Sequence, residues 1–280
     1  MLIPIGDDNQ GRLTTPFIVY IFIAINAVVF LALQQAGGRG GDRFTYGYST
    51  IPYEITTGED LKYPVVLLKS GNPPFEPISP EQYRQLERIE RVEGRQVPVI
   101  PEAPGPSPIY FTLLSSMFMH GGWMHIIGNM LYLWIFGDNI EDNFGHGMFA
   151  IFYIICGLVA SFAQILMMPQ SPIPSLGASG AIAGVLGAYL VMFPHNRVRA
   201  ILPLGYIWTT VELPALVVLG FWIVLQIISQ YTASIGGTTQ TEGVAYMAHI
   251  GGFVAGMALS FIFRRRRPRS PQFNYWDGRY

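Results

Sequence analysis

The sequence predicts an all-α polytopic membrane protein: a bundle of six transmembrane helices with both termini in the cytosol. Three observations carry this. First, half of the 280 residues are hydrophobic and only 12% are charged, where a soluble domain carries about 25% charge. Second, the charges are segregated. All 17 Lys and Arg lie outside six apolar stretches near 16–33, 122–137, 148–168, 177–193, 213–231 and 243–263, and Glu212 and Glu242 only flank the last two. Each stretch is close to the ~20 residues that a helix needs to cross hydrocarbon. Third, the basic residues are asymmetric. Arg12 precedes the first stretch, Arg197 and Arg199 lie in 194–212, and six arginines follow residue 263, whereas 169–176 and 232–242 hold none. That bias places both termini in the cytosol.

The elements follow in order. The tail 1–15 has no basic start leading into an apolar run and a small-residue cleavage site. No removable signal peptide is expected, and 16–33 is read as the first transmembrane helix. Residues 34–108 form a long extracytoplasmic loop, of a length that largely escapes the charge rule. Within it "SPEQYRQLERIERVEG" (79–94) reads as a short helix. Ser79 is its N-cap, Pro80 its first residue, and Gln82 completes a capping box. Leu86, Ile89 and Val92 share a face, and Gly94 ends it. Residues 98–108 read as a proline-rich linker.

The segment "IYFTLLSSMFMH" (109–120) is read as a short interfacial or re-entrant helix, because Gly121 and Gly122 separate it from the second span. "DNIEDNFGHG" (138–147) is expected to be an acidic cytosolic loop with a solvated His146; His195 is expected in another such loop. "RAILPLGYIWTT" (199–210), with Pro203 and Gly205, reads as an interfacial connection on the cytosolic side. The remaining five spans form a core over 109–263, and the basic tail 264–280 serves as a topology signal. Cys156 is the single cysteine. It cannot form an intrachain disulfide and reads as a small packing residue.

Polar groups in hydrocarbon are costly and mark function by default. The spans hold Asn26, His125, Asn129, Gln164, Ser179, Gln226 and His249. Asn26, Gln164 and Gln226 are expected to form interhelical hydrogen bonds. The other four converge in depth. Entering from outside, His125 and Asn129 are one to two turns deep, Ser179 is in the first turn, and His249 is about 9 Å down. His125 and Asn129 share a helix face and both can donate hydrogen bonds to a developing oxyanion. Ser179 is a weak nucleophile until a base takes its proton, and His249 is the only histidine in the sixth span. A serine in a first helical turn also has backbone N–H groups without intrahelical partners.

Read alone, Ser179 is a packing residue, because Gly177, Gly180, Gly184 and Gly187 surround it and Gly252 and Gly256 repeat the close-approach spacing in the sixth span. Close approach of these two spans would itself bring Ser179 to His249. Rival chemistries lack their residues. No His-Glu-x-x-His occurs for zinc proteolysis, and no span holds an Asp for aspartyl chemistry or ion transport.

The stretches "HGGWMHIIGNM" (120–130), "GASGAIAG" (177–184) and "AHIGGFVAG" (248–256) fall in order on the second, fourth and sixth spans. With them the chain resembles the rhomboid intramembrane serine proteases over roughly 109–263. The resemblance implies a Ser–His dyad with Ser179 as nucleophile and His249 as general base. It implies an oxyanion hole of His125, Asn129 and the Ser179 backbone N–H. His120 matches a histidine ahead of the second span, and Gly252 and Gly256 match the packing of the sixth helix on the fourth. The implied activity is hydrolysis of transmembrane segments of other membrane proteins near their outer ends, with no metal, organic cofactor or nucleic acid. Water enters through a cavity open to the outside, and the fifth span is similar to a mobile gate. The expected location is a bacterial-type cytoplasmic membrane. Two features depart from a well-studied branch: the loop after the first span lacks a Trp-Arg pair, and the aromatic expected four residues after the serine is Ala183. What orients His249 is left open. The alternatives are a rhomboid-like protein that binds transmembrane clients without cutting, and a transporter.

Overall fold

Hydrocarbon offers no partners to backbone N–H and C=O groups, so apolar runs fold as helices that satisfy their own. The computed structural model describes residues 3–9, 11–38, 41–68, 73–93, 99–204, 207–235 and 245–265. Strand β1 (Ile3–Asp7) precedes helix α1 (Phe17–Val28), which continues through a π-helical stretch, Val29–Leu33. The following segment carries α2 (Asp42–Tyr48), α3 (Pro52–Thr57), β2 (Val65–Leu67), β3 (Phe75–Pro77), α4 (Pro80–Glu93) and β4 (Val99–Ile100). Short α5 (Thr112–Ser115) sits between 3-10 turns at Ile109–Phe111 and Ser116–Phe118. Then come α6 (Trp123–Phe144), α7 (His146–Met167), α8 (Ser179–Met192), β5 (Arg197–Leu204), β6 (Ile207–Pro214), α9 (Ala215–Ile235) and α10 (Tyr246–Phe263).

Among the described residues three helices, spanning His146–Met167, Ala215–Ser234 and Tyr246–Phe263, are long and apolar enough to cross a bilayer. Large apolar side chains such as Leu166, Leu216, Phe221 and Ile262 point outward, a surface that lipid, not water, would cover.

Helix α8 is the centre of the bundle. Every residue from Gly180 to Tyr189 is buried, as expected of a helix apolar on all sides. Its glycines lie directly against α10. A Cβ at Gly252 would overlap the carbonyl oxygen of Gly180, and one at Gly256 the carbonyl oxygen of Gly184. On its other side Gly184 meets Cys156 of α7, which is buried and fills a packing position.

Four expectations are corrected. Residues 138–144 are not a loop: α6 runs on to Phe144, and Asp138, Glu141 and Asp142 are buried. The cause is at α1, whose N-cap, Pro16, offers no side-chain cap. Its orphan amides need acceptors. Ile18 N and Val19 N donate to Glu141 (2.9 and 2.8 Å), and Leu13 N and Thr14 N donate to Asp142 (3.1 and 2.8 Å). Arg12 pairs with Asp138. His146, expected in a loop, starts α7; its side chain is 42% exposed, with Nδ1 2.5 Å from Glu141 Oε1. The charges are placed where backbone donors and one cation meet them, so hydropathy alone misjudged the helix end.

Second, 199–204 and 207–210 lie in two antiparallel strands, β5 and β6, and β1 adds to the free edge of β5 in the order β1-β5-β6. Val198 and Ala200 are buried while Arg197 and Arg199 are exposed, the alternation of a half-buried strand. The protein is therefore mostly helical, not all-α. Third, Val99 and Ile100 of the expected linker pair with β2 in a second small sheet, β3-β2-β4. Fourth, Asn26 bonds within its own helix, Nδ2 to Phe22 O at 2.7 Å. Gly94 and the tail beyond Arg265 lie outside the described residues. Helix α4 carries the reciprocal hydrogen bonds of a capping box, Ser79 N to Gln82 Oε1 (2.7 Å) and Gln82 N to Ser79 Oγ (3.2 Å).

Two predictions follow from this packing. Gly252→Ala or Gly256→Ala sets a methyl against backbone, which cannot rotate away. Each should cost at least the ~1–3 kcal/mol typical of overpacking, read as a lowered thermal midpoint in detergent, whereas Gly128→Ala, with open space at its Cβ, should not.

The second concerns Glu54 and Glu102, both buried in the 34–108 segment. Burial pushes Glu54 from 4.5 up to about 7, and burial with neighbouring Glu54 and Asp60 holds Glu102 well above the carboxylate range. Such groups bind protons more tightly folded than unfolded, so their stability contribution falls as pH rises from the unfolded value through the folded one. The thermal midpoint in detergent should therefore fall from about pH 5 to about pH 8, and Glu102→Gln should flatten that fall.

Candidate active site

The N-terminus of α8 is held from three directions. Ser175 pairs with Thr50 through both backbone hydrogen bonds, 3.0 and 2.7 Å, so the 34–108 segment fixes the approach to the helix. Gly177 N donates to Ser116 O at 2.9 Å, tying the same stretch to the turn after α5. Gly177 itself has φ +135°, and a Cβ there would stand 3.0 Å from the His125 ring. Only glycine suits that conformation and that space. The next helical residue is Ser179, half-buried.

The glycine contact between α8 and α10 sets the second partner. His249 Nε2 lies 2.8 Å from Ser179 Oγ. The other side of the imidazole is occupied by α9: His249 Nδ1 is 2.8 Å from Gln226 Oε1, and the Trp222 ring lies 5.8 Å from the histidine ring at 38°. Ala183, buried in the cavity wall, contributes no ring. The aromatic neighbour comes from a different helix.

Ser179, His249, His125 and Asn129 line one cavity of about 880 Å³. Gly121 N donates to His125 Nδ1 at 3.3 Å, which leaves Nε2 to carry the proton on the ring edge facing Gly177. Asn129 Nδ2 is buried and has no hydrogen-bond partner among the described residues. Leaving such a donor unpaired costs about 1–3 kcal/mol, so an acceptor entering the cavity would be bound by a group already waiting for it. A hydroxyl hydrogen-bonded to an imidazole, two side-chain donors and the orphan amides of a helix N-terminus make a constellation suited to acyl transfer.

His120 stands just outside. Its backbone is clamped by Gln34, His120 N to Gln34 Oε1 at 2.8 Å and Gln34 Nε2 to His120 O at 3.0 Å. Its ring meets His125 edge-to-face at 5.2 Å, so it braces His125 from behind. Gly252 and Gly256 lie in the α8–α10 contact, and Gly180 lies both in that contact and in the cavity wall.

Reading the sequence alone did not find Gln34, Thr50 or Trp222, and gave Gln226 only a general interhelical role. A weak signal existed for one pair: Trp222 and Gln226 are four apart and so share a helix face.

Comparison with known proteins adds an independent line. The Rhomboid domain family model matches residues 108–266. The chain is 34% identical over 170 residues to RHOMBOID-like protein 5 of Arabidopsis thaliana, covering 60% of this chain and 47% of that protein. It is 34% identical over 150 residues to the rhomboid protease GluP of Bacillus subtilis (strain 168), covering 54% of this chain and 26% of GluP. Against RHOMBOID-like protein 6, mitochondrial, of A. thaliana it is 31% identical over 150 residues, covering 54% and 42%. The chain thus spans about a quarter to a half of the length of these relatives.

Proposed function

Since the chain belongs to the rhomboid family and is an integral membrane protein, we propose that it is an intramembrane serine endopeptidase working through a Ser179–His249 dyad. The observation that carries this reading is the 2.8 Å contact of Ser179 Oγ with His249 Nε2. For this step Nε2 must keep its lone pair for the serine proton. Ser179 attacks the scissile carbonyl, and His249 takes the proton and returns it to the leaving amine. His125, Asn129 and the Ser179 N–H receive the oxyanion. Water entering the cavity then hydrolyses the acyl-enzyme. A client-binding protein without activity would need neither the dyad contact nor an unpaired Asn129 donor. That a similar protein is named a rhomboid protease also supports the reading.

In the membrane we propose six spans, with the tails 1–15 and 264–280 cytosolic, the first span at 16–33, loop 34–108 extracytoplasmic and the catalytic core at 109–263. Helix α8, with 14 residues, is about 21 Å long, against ~30 Å of hydrocarbon. A helix that short would leave its N-terminal serine beneath the outer surface, in a recess that water can enter. The substrates are transmembrane segments of other membrane proteins, and the setting is a bacterial-type cytoplasmic membrane.

Ser179→Ala and His249→Ala should each abolish cleavage of a transmembrane reporter in liposomes and labelling by a fluorophosphonate, with the fold retained. Wild-type rates in either variant would defeat the proposal. Asn129→Ala should lower kcat on the order of 10²-fold with little change in KM, as expected for loss of one oxyanion donor; a rise in KM alone would instead make Asn129 a binding residue.

A further inference from the structure

The dyad contact leaves a question that the proposed reaction does not answer: what fixes the ring and the tautomer of His249. An unrestrained imidazole can rotate, and its proton can sit on either nitrogen. Only the Nδ1–H form presents a basic Nε2 to the serine. Helix α10, which carries the histidine, supplies no acceptor to Nδ1, and α8 supplies Ala183 where a ring could have stood. Both contacts that restrain His249 come from α9: Gln226 Oε1 at 2.8 Å from Nδ1 and the Trp222 ring, which also lies 6.1 Å from Phe253 on α10.

We propose that Gln226 is the positioning residue of the catalytic base: its side-chain carbonyl, backed by Trp222, holds His249 in the Nδ1–H tautomer with Nε2 aimed at Ser179. This rests on the dyad reading and extends it to a third helix. The group is neutral, so it orients the imidazole without the added basicity that a carboxylate partner would confer. That matters here, because the cavity facing His249 holds His125 and Tyr132 as its other titratable side chains and, among the described residues, no Asp, Glu, Lys or Arg. Helix α9 is also the least buried of the three helices long enough to cross the bilayer.

The test uses full-length wild type, Ser179→Ala, Gln226→Met and Gln226→Glu, with ¹⁵N-histidine labelling. Gln226→Met keeps length and removes the acceptor. A positioned base contributes about 10²–10⁴-fold, and losing its holder should forfeit part of that, on the order of 10-fold in kcat with KM unchanged. The His249 ¹⁵N signals should move from the Nδ1–H pattern in wild type toward a tautomer mixture in Gln226→Met. Gln226→Glu restores an acceptor and should recover turnover near neutral pH. Its carboxylate favours the imidazolium, so the acid limb of its kcat profile should shift to higher pH. Unchanged kcat, pH profile and ¹⁵N signals in Gln226→Met would overturn the inference while leaving the protease reading intact. Wild type that neither cleaves nor reacts with a fluorophosphonate, or reacts equally with Ser179→Ala, would overturn the reading itself and the inference with it. The ¹⁵N measurement does not depend on activity, so a variant that is folded but slow still gives an answer.

Discussion

The contact of Gly180 and Gly184 with Gly252 and Gly256 is the constraint on which the rest of the architecture depends. Lipid gives two apolar helices little reason to associate, so packing between them must come from close fit. Here the fit is backbone against backbone, with no side chain between the carbonyls of α8 and the α-carbons of α10. Helix α7 closes on the same seam, bringing Ala160 and Cys156 against Gly180 and Gly184. The three helices form a dense wedge, and the distance from serine to histidine is set by that density. The backbone separation of the two residues is thus set by the helix axes, while the rotamer of the imidazole is restrained from α9.

The opposite end of the molecule is organised by a different rule. Of three carboxylates on the last turns of α6, Glu141 takes the place that a capping Ser or Asp would hold at the start of α1, while Asp142 receives the amides of Leu13 and Thr14 and Asp138 pairs with Arg12. Burying charge is expensive unless it is paired and hydrogen-bonded, and here backbone amides, Arg12 and His146 supply those partners. The result ties the first apolar helix to the second by its polar end, where apolar packing is weakest. The 34–108 segment does comparable work on the cavity side. It grips Ser175 through Thr50, and Gln34, just beyond α1, holds His120, so both walls of the cavity are buttressed by chain that carries none of the chemistry.

These features explain which parts were legible in the sequence. Apolar runs and the spacing of small residues are local signals. Ser179, His249, His125 and Asn129 could therefore be placed at a common depth from residue counts alone, and the structure brings them to one cavity. The capping box of α4 was readable for the same reason. The end of α6 was not, because an acidic run looks like a loop until the partner that needs its carboxylates is known. The β5–β6 pair was hidden because Pro203 and Gly205 break the alternation that begins at Val198. Gln226 was seen as polar and buried, but its importance depends on which face of α10 lies opposite, and that is a property of the assembled bundle.

The sheet has a mechanical consequence. Strand β6 passes at Pro214 directly into α9, and β6 is laced through β5 to the N-terminal strand β1. Helix α9 is thus pinned at one end by a three-stranded clasp and, along its length, shows Phe221, Val224, Ile227 and Tyr231 to the outside. A rod held this way moves by pivoting, and displacement grows with distance from the pin. Gln226 lies about 18 Å along the rod at 1.5 Å per residue, so a tilt of about 10° carries it about 3 Å, enough to part it from the imidazole. Residues 3–7, remote from the cavity in sequence, thereby help set how firmly the helix that carries Gln226 is held.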